Sequence, residues 1–135
     1  MEFTWPVRIY YEDTDAGGVV YYANYLKFME RARTEWLRSL GIDQRELAEQ
    51  RGLAFVVTEA NAQYRKPARL DDALSVSVSI EAARGARIVF RQEIRRDDGA
   101  LLCAGRIGVA CLDLKSFRPR SVPDDIRAEI QINDG

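Results

Sequence analysis

Two periodicities divide this chain. Between residues 24 and 40, Tyr25, Met29, Ala32, Trp36, Leu37 and Leu40 recur at spacings of three and four, the mark of a helix with one apolar stripe. Lys27, Glu30, Arg31, Thr34, Glu35 and Arg38 fill the other face. Arg31 with Glu35, and Glu35 with Arg38, are spaced to pair. Asn24 suits an N-cap and Gly41 a C-terminal stop. From residue 53 to 114 the pattern changes to strands. "LAFVVTEANAQYRKPAR" reads as a long strand ending near Pro67, and "ALSVSVSIEAA" alternates valines and Ile80 against serines. "ARIVFRQEIRR" follows through "RG", the "DDG" at residues 97–99 is a hairpin turn, and "ALLCAGRIGVACLDL" is the last strand.

Shorter signals complete the outline. Residues 3–11 alternate and predict a first strand, and residues 12–20 predict a loop holding "DTDAGG". Residues 43–50 predict a short helix ending at Gly52, and another follows Pro123, a residue suited to a first helical position. The predicted class is α+β, five antiparallel strands with one long helix. One helix covers a five-stranded sheet only if the sheet curves around it. The other face then needs cover, and a second copy of the chain is one way to provide it.

Composition narrows the function. The 135 residues fit a single domain spanning 1–135, with 47% apolar and 30% charged residues. The net charge of −1 and the lack of an arginine-rich run with aromatics argue against nucleic-acid binding. No apolar run is long enough to span a membrane, and the first residues lack a signal-peptide pattern, so the cytoplasm is the expected compartment. Cys103 and Cys111 lie eight apart in one predicted strand, roughly 26 Å at strand rise, so they read as two buried thiols. The chain has no histidine. That removes the Ser-His-Asp triad, the Cys-His pair and the common histidine metal sites. Carboxylates, tyrosines, lysines or backbone dipoles must carry any catalysis.

The stretch "YYEDTDAGGVVYYANYLKFMERARTEWL" holds the candidate chemistry. Asp15 sits nine residues before Asn24, with Gly17 and Gly18 between them. Glycines allow a tight turn and close approach to a ligand. Free N–H groups at a helix start favour anions and bind a developing oxyanion. On the residues alone, Asp13 and Asp15 read more readily as turn caps.

"YEDTDAGGVVYYANYLKFMERARTEWLR" followed by "YRKPARLDD" resembles the hotdog-fold acyl-CoA thioesterases. The resemblance is strongest to the Tol-Pal-associated, YbgC-type branch of the 4-hydroxybenzoyl-CoA thioesterase family. It implies a curved sheet wrapped around a central helix, and a homodimer or homotetramer with the acyl pocket at the dimer interface. It implies hydrolysis of an acyl thioester without metal or cofactor, coenzyme A entering only as part of the substrate. The catalytic acid it implies is Asp15, with Asp13 holding the loop and Gly17, Gly18 and Val19 beside the substrate.

Tyr22 departs from many YbgC-type members, which carry histidine there. A phenol is a poor base at neutral pH but donates a hydrogen bond. Tyr22 is therefore a candidate to orient Asp15, water or the carbonyl, and plain packing explains it equally well. Tyr25 is a candidate substrate contact, although its place in the stripe favours a core aromatic. Alternation puts Glu59 on the face of Val57, Asn61 and Gln63. It is a candidate to reach the site across a dimer, with a solvated strand carboxylate the plainer reading. Arg65, Lys66 and Arg69, with Arg84 and Arg87, form a basic cluster by sequence that suits the phosphates of coenzyme A. The carrier is coenzyme A or acyl carrier protein. The alternative is a non-catalytic acyl-thioester-binding protein, or a scaffold associated with the Tol-Pal machinery.

Overall fold

In the computed structural model, residues 2–133 are described, with side chains to residue 131. Strand β1 (Phe3–Arg8) leads through a short 3-10 turn (Tyr11–Asp13) to helix α1 (Asn24–Ser39) and helix α2 (Gln44–Arg51). Strands β2 (Leu53–Tyr64), β3 (Ala73–Arg84), β4 (Arg87–Arg96) and β5 (Leu101–Asp113) follow, and helix α3 (Asp124–Asn133) comes last. The strands form one antiparallel sheet in the order β1-β3-β4-β5-β2. This is the α+β class expected, with α1 the longest of three helices.

Helix α1 buries Tyr25, Phe28, Met29, Ala32, Trp36 and Leu37 against the sheet. Each large apolar side chain so buried contributes about 1.5–3 kcal/mol. Trp36 meets Phe90 of β4 edge-on at 5.8 Å. Met29 reaches the sheet because β5 carries Gly105 beneath it; a Cβ there would stand 2.7 Å from the Met29 sulfur. Of the two expected helix pairs, Glu35 binds Arg38 at 2.8 Å. Arg31 instead stands 5.8 Å from the Phe28 ring. Asp43 caps α2, accepting from the N–H groups of Arg45 and Glu46, a contact worth about 1 kcal/mol.

Four details differ from the sequence reading. Strand β1 stops at Arg8, because the Ile9 N–H turns to Asp72 O and the Tyr10 N–H to the Asp13 carboxylate at 2.9 Å. Strand β2 stops at Tyr64, because the Arg65 and Lys66 N–H groups both bond to Leu102 O. Asn24 is the first helical residue and not the cap. The cap position belongs to Ala23, already helical at φ −66°, ψ −22° and without a side-chain cap. Pro123 precedes α3, its carbonyl accepting from the Arg127 N–H at 2.9 Å. Cys103 and Cys111 are buried and free, as expected. No helix among the described residues is long and apolar enough to cross a membrane.

Candidate active site

The loop between β1 and α1 is a closed turn. Thr14 bridges Val20, the Asp15 N–H donates to Val19 O at 2.9 Å, and the Gly18 N–H donates to Asp15 O at 3.0 Å. Asp13 holds the loop from both sides. Its carboxylate takes the Tyr10 N–H, and its carbonyl accepts from the Tyr21 N–H at 3.0 Å and from Asn24 Nδ2 at 2.9 Å. The buried Asn24 thus ties loop to helix, which explains its use elsewhere than as a cap.

Asp15 is exposed at the tip of this turn. One carboxylate oxygen, Oδ1, accepts the Gly17 N–H at 2.8 Å. The other has no partner among the described residues. A Cβ on Gly17 would lie 3.2 Å from Oδ1, so glycine keeps that approach open. Gly18 turns with φ +78°, a conformation that disfavours side chains. The result is a carboxylate anchored by one oxygen and uncommitted at the other.

The helix start differs from expectation. The N–H groups of Asn24, Tyr25 and Leu26 bond to the carbonyls of Tyr21, Tyr22 and Ala23 at 2.9, 3.3 and 3.2 Å. They are not free. The N–H groups of Tyr22 and Ala23, just before the helix, have no acceptor among the described residues, and they lie at the positive end of the α1 dipole.

A cavity of about 250 Å³ adjoins this point, lined by Val20, Tyr22, Tyr25, Tyr64, Arg65 and Lys66, with Pro67. Tyr22 is exposed and packs against Tyr21 at 5.0 Å and edge-on to Tyr64 at 5.8 Å. Tyr25 is buried, and its hydroxyl accepts the Ala68 N–H at 2.9 Å. Burial pushes its pKa up, partly offset by that bond. Burial also raises the Tyr64 phenol, so both stay protonated at neutral pH. Tyr64 was not singled out from the sequence. Its signal is an aromatic directly before "RKP".

Segment 65–72 closes the other side. The Val20 N–H donates to Ala68 O at 2.9 Å, and Val19 bridges Arg69. Arg69 therefore stands beside the glycine turn, and Arg65 and Lys66 beside the tyrosines. The other members of the basic cluster are elsewhere. Arg87 pairs across the sheet with Ala110, which also pairs with Val56. That is about eight strand residues from Tyr64, roughly 26 Å.

Glu59 is also elsewhere. A bulge between Val57 and Glu59 shifts the register by one residue, which reverses the faces. Val57 points to the helix side and Glu59 to the outer face, where it meets Arg106 at 3.3 Å and Arg87 at 3.6 Å. Within one protomer it does not join the site. Burial pushes the Cys103 thiol up to about 11, which removes it as a thiolate nucleophile near neutral pH. Among the described residues no group of three or more Cys, Asp or Glu side chains is placed to hold a metal ion.

The chain is similar to known proteins over nearly its whole length. The description "Thioesterase-like superfamily" fits residues 10–130. The acyl-CoA thioester hydrolase YbgC of Escherichia coli O6:H1 is 47% identical over 129 residues, covering 96% of either chain. The crystal structure of Slr0204, a 1,4-dihydroxy-2-naphthoyl-CoA thioesterase from Synechocystis, superposes with a TM-score of 0.92 at 25% identity, over 100% of this chain and 99% of that one. A probable thioesterase from Bartonella henselae superposes at 0.85 with 33% identity, over 91% of this chain and 100% of that one.

Proposed function

The chain belongs to the thioesterase-like superfamily, and from that premise we propose that it hydrolyses acyl-CoA thioesters to the free acid and coenzyme A. The observation that carries the reading is the Asp15 carboxylate, held by the Gly17 N–H and open at its second oxygen. That oxygen acts as nucleophile on the thioester carbon or as general base to a water. A thioester has a good leaving group, so no stronger nucleophile is required. The negative charge that develops on the carbonyl oxygen is met by the N–H groups of Tyr22 and Ala23. Tyr22 donates its hydroxyl to orient the carboxylate, the water or the carbonyl.

The cavity beside Tyr22 and Tyr64 takes the acyl thioester, and Arg65, Lys66 and Arg69 face the phosphates of coenzyme A. Coenzyme A enters as part of the substrate, and no metal or separate cofactor is invoked. Strand β2 is a sheet edge, exposed on both faces over residues 57–61. Such an edge is suited to pairing with a second copy, and a homodimer there would extend the site across the interface.

The test is release of free thiol from a panel of aliphatic, aromatic and long-chain acyl thioesters, of coenzyme A and of acyl carrier protein, by the purified protein. Turnover well above the spontaneous rate on at least one member is expected. A folded protein that turns over none of them, on coenzyme A or on acyl carrier protein, would overturn the hydrolase reading in favour of a binding or Tol-Pal-associated role.

A further inference from the structure

Two turns along α1 from the tyrosines, a second polar arrangement lies under the sheet. Arg33 is 8% exposed, and its Nη1 donates to Gln92 Oε1 at 2.9 Å. Gln92 is 1% exposed, and its Nε2 donates to Met29 O at 3.0 Å, which fixes the amide with its oxygen toward Arg33. The Phe90 ring lies 5.9 Å from the guanidinium carbon. Among the described residues Gln92 is the guanidinium's one hydrogen-bond acceptor, and no carboxylate lies within 4.0 Å of it. A guanidinium carries five N–H donors.

The unspent donors have somewhere to point. No side-chain nitrogen or oxygen sealed from solvent lacks a partner among the described residues, so the donors Gln92 leaves over open onto accessible space. Arg33 lines a cavity of about 100 Å³ between α1 and the first half of β2. Leu37, Phe55, Val57 and Val109 give it apolar walls, and Thr34 and Gln44, bonded to each other at 3.3 Å, give it a polar corner. Burial lowers the Arg33 pKa to about 10, with Glu30 acting weakly against the shift. The side chain stays cationic at neutral pH. Glu30 lines the same cavity from an exposed position. A buried cation without a counter-ion is costly, and the fork of a guanidinium matches a carboxylate.

We propose that this cavity is a carboxylate-binding site, with Arg33 gripping the carboxylate and Phe55, Val57 and Val109 holding a short apolar body. The ligand that presents that chemistry is a free short-chain acid, and the proposal does not depend on the hydrolase reading.

The experiment is titration calorimetry of butyrate and glutarate into the full-length protein and into Arg33→Met, Arg33→Lys and Glu30→Gln, with circular dichroism to verify folding. Binding should weaken at least about tenfold in folded Arg33→Met, less in Arg33→Lys, and tighten a few-fold in Glu30→Gln. Glu30→Gln keeps the core intact, so it decides the matter if Arg33→Met fails to fold. Butyrate binding that weakens in folded Arg33→Met supports the proposal even if no thioester is cleaved. No binding of either acid to wild type, or affinity unmoved by Arg33→Met and Glu30→Gln, would overturn the proposal.

Discussion

Carboxylates on two surfaces of this molecule have opposite fates. On the outer face of the sheet, Glu81 takes Arg91 Nε at 2.7 Å and Arg106 Nε at 2.8 Å, and Glu59 takes Arg106 and Arg87. On the loop before α1, Asp15 takes a single backbone N–H and leaves one oxygen uncommitted. The chemical group is the same. A carboxylate with both oxygens on guanidinium groups has its basicity spent, and the Glu81 pKa is lowered accordingly by its bonds to Arg106 and Arg91. One held at a single oxygen by a rigid turn is positioned and leaves its other oxygen open to a ligand. The contrast teaches where to look for chemistry in a chain this rich in charge: at the anion left without a cation, next to glycines and spare N–H groups.

The sharpest way to break the contrast is to remove each anion in turn. Asp15→Asn should lower kcat by about 10³-fold or more, while Glu59→Gln and Glu81→Gln stay within about twofold of wild type. Steady-state thiol release reads both. A smaller effect comes from crowding the anchored oxygen. Gly17→Ala puts a Cβ 3.2 Å from Asp15 Oδ1, so kcat should drop about tenfold with the melting temperature little changed. Tyr22→Phe should cost a few-fold in kcat if its hydroxyl orients the reacting groups, and rates left intact would remove that role. The smallest effect concerns the outer face. The folded-state pKa of Glu81 is depressed, so its stabilisation is present above the unfolded-state value and is lost as pH falls through the folded-state value. Glu81→Gln should therefore melt slightly below wild type at pH 7, and the gap should close toward pH 3.

Much of this was legible in the chain. The 3.6-residue stripe of α1 and the alternation of β3 and β5 follow from burying one face, which leaves a direct trace in residue order. The glycines and Asp13 marked the loop because turn chemistry is local to the sequence. What escaped depended on partners far away in sequence. The bulge at Thr58 adds a residue with no glycine or proline to announce it, and it carried Glu59 to the other face. Asn24 looks like a cap, but its amide serves Asp13, eleven residues earlier. Arg84 and Arg87 read as one cluster with Arg65 because distance along a hairpin sheet is invisible in a string. Nothing in the string marks Arg33 as buried, since Gln92, which lets it be buried, lies 59 residues on.

The central claim is that the uncommitted oxygen of Asp15 does the chemistry. The most direct measurement is single-turnover hydrolysis of the best acyl-CoA substrate by wild type, Asp15→Asn and Asp15→Glu at saturating enzyme. The account predicts that substrate still binds Asp15→Asn, that its chemical step slows by about 10³-fold or more, and that Asp15→Glu, with a carboxylate misplaced by one methylene, recovers only part of the rate. A folded Asp15→Asn that hydrolyses the substrate at the wild-type rate would contradict it.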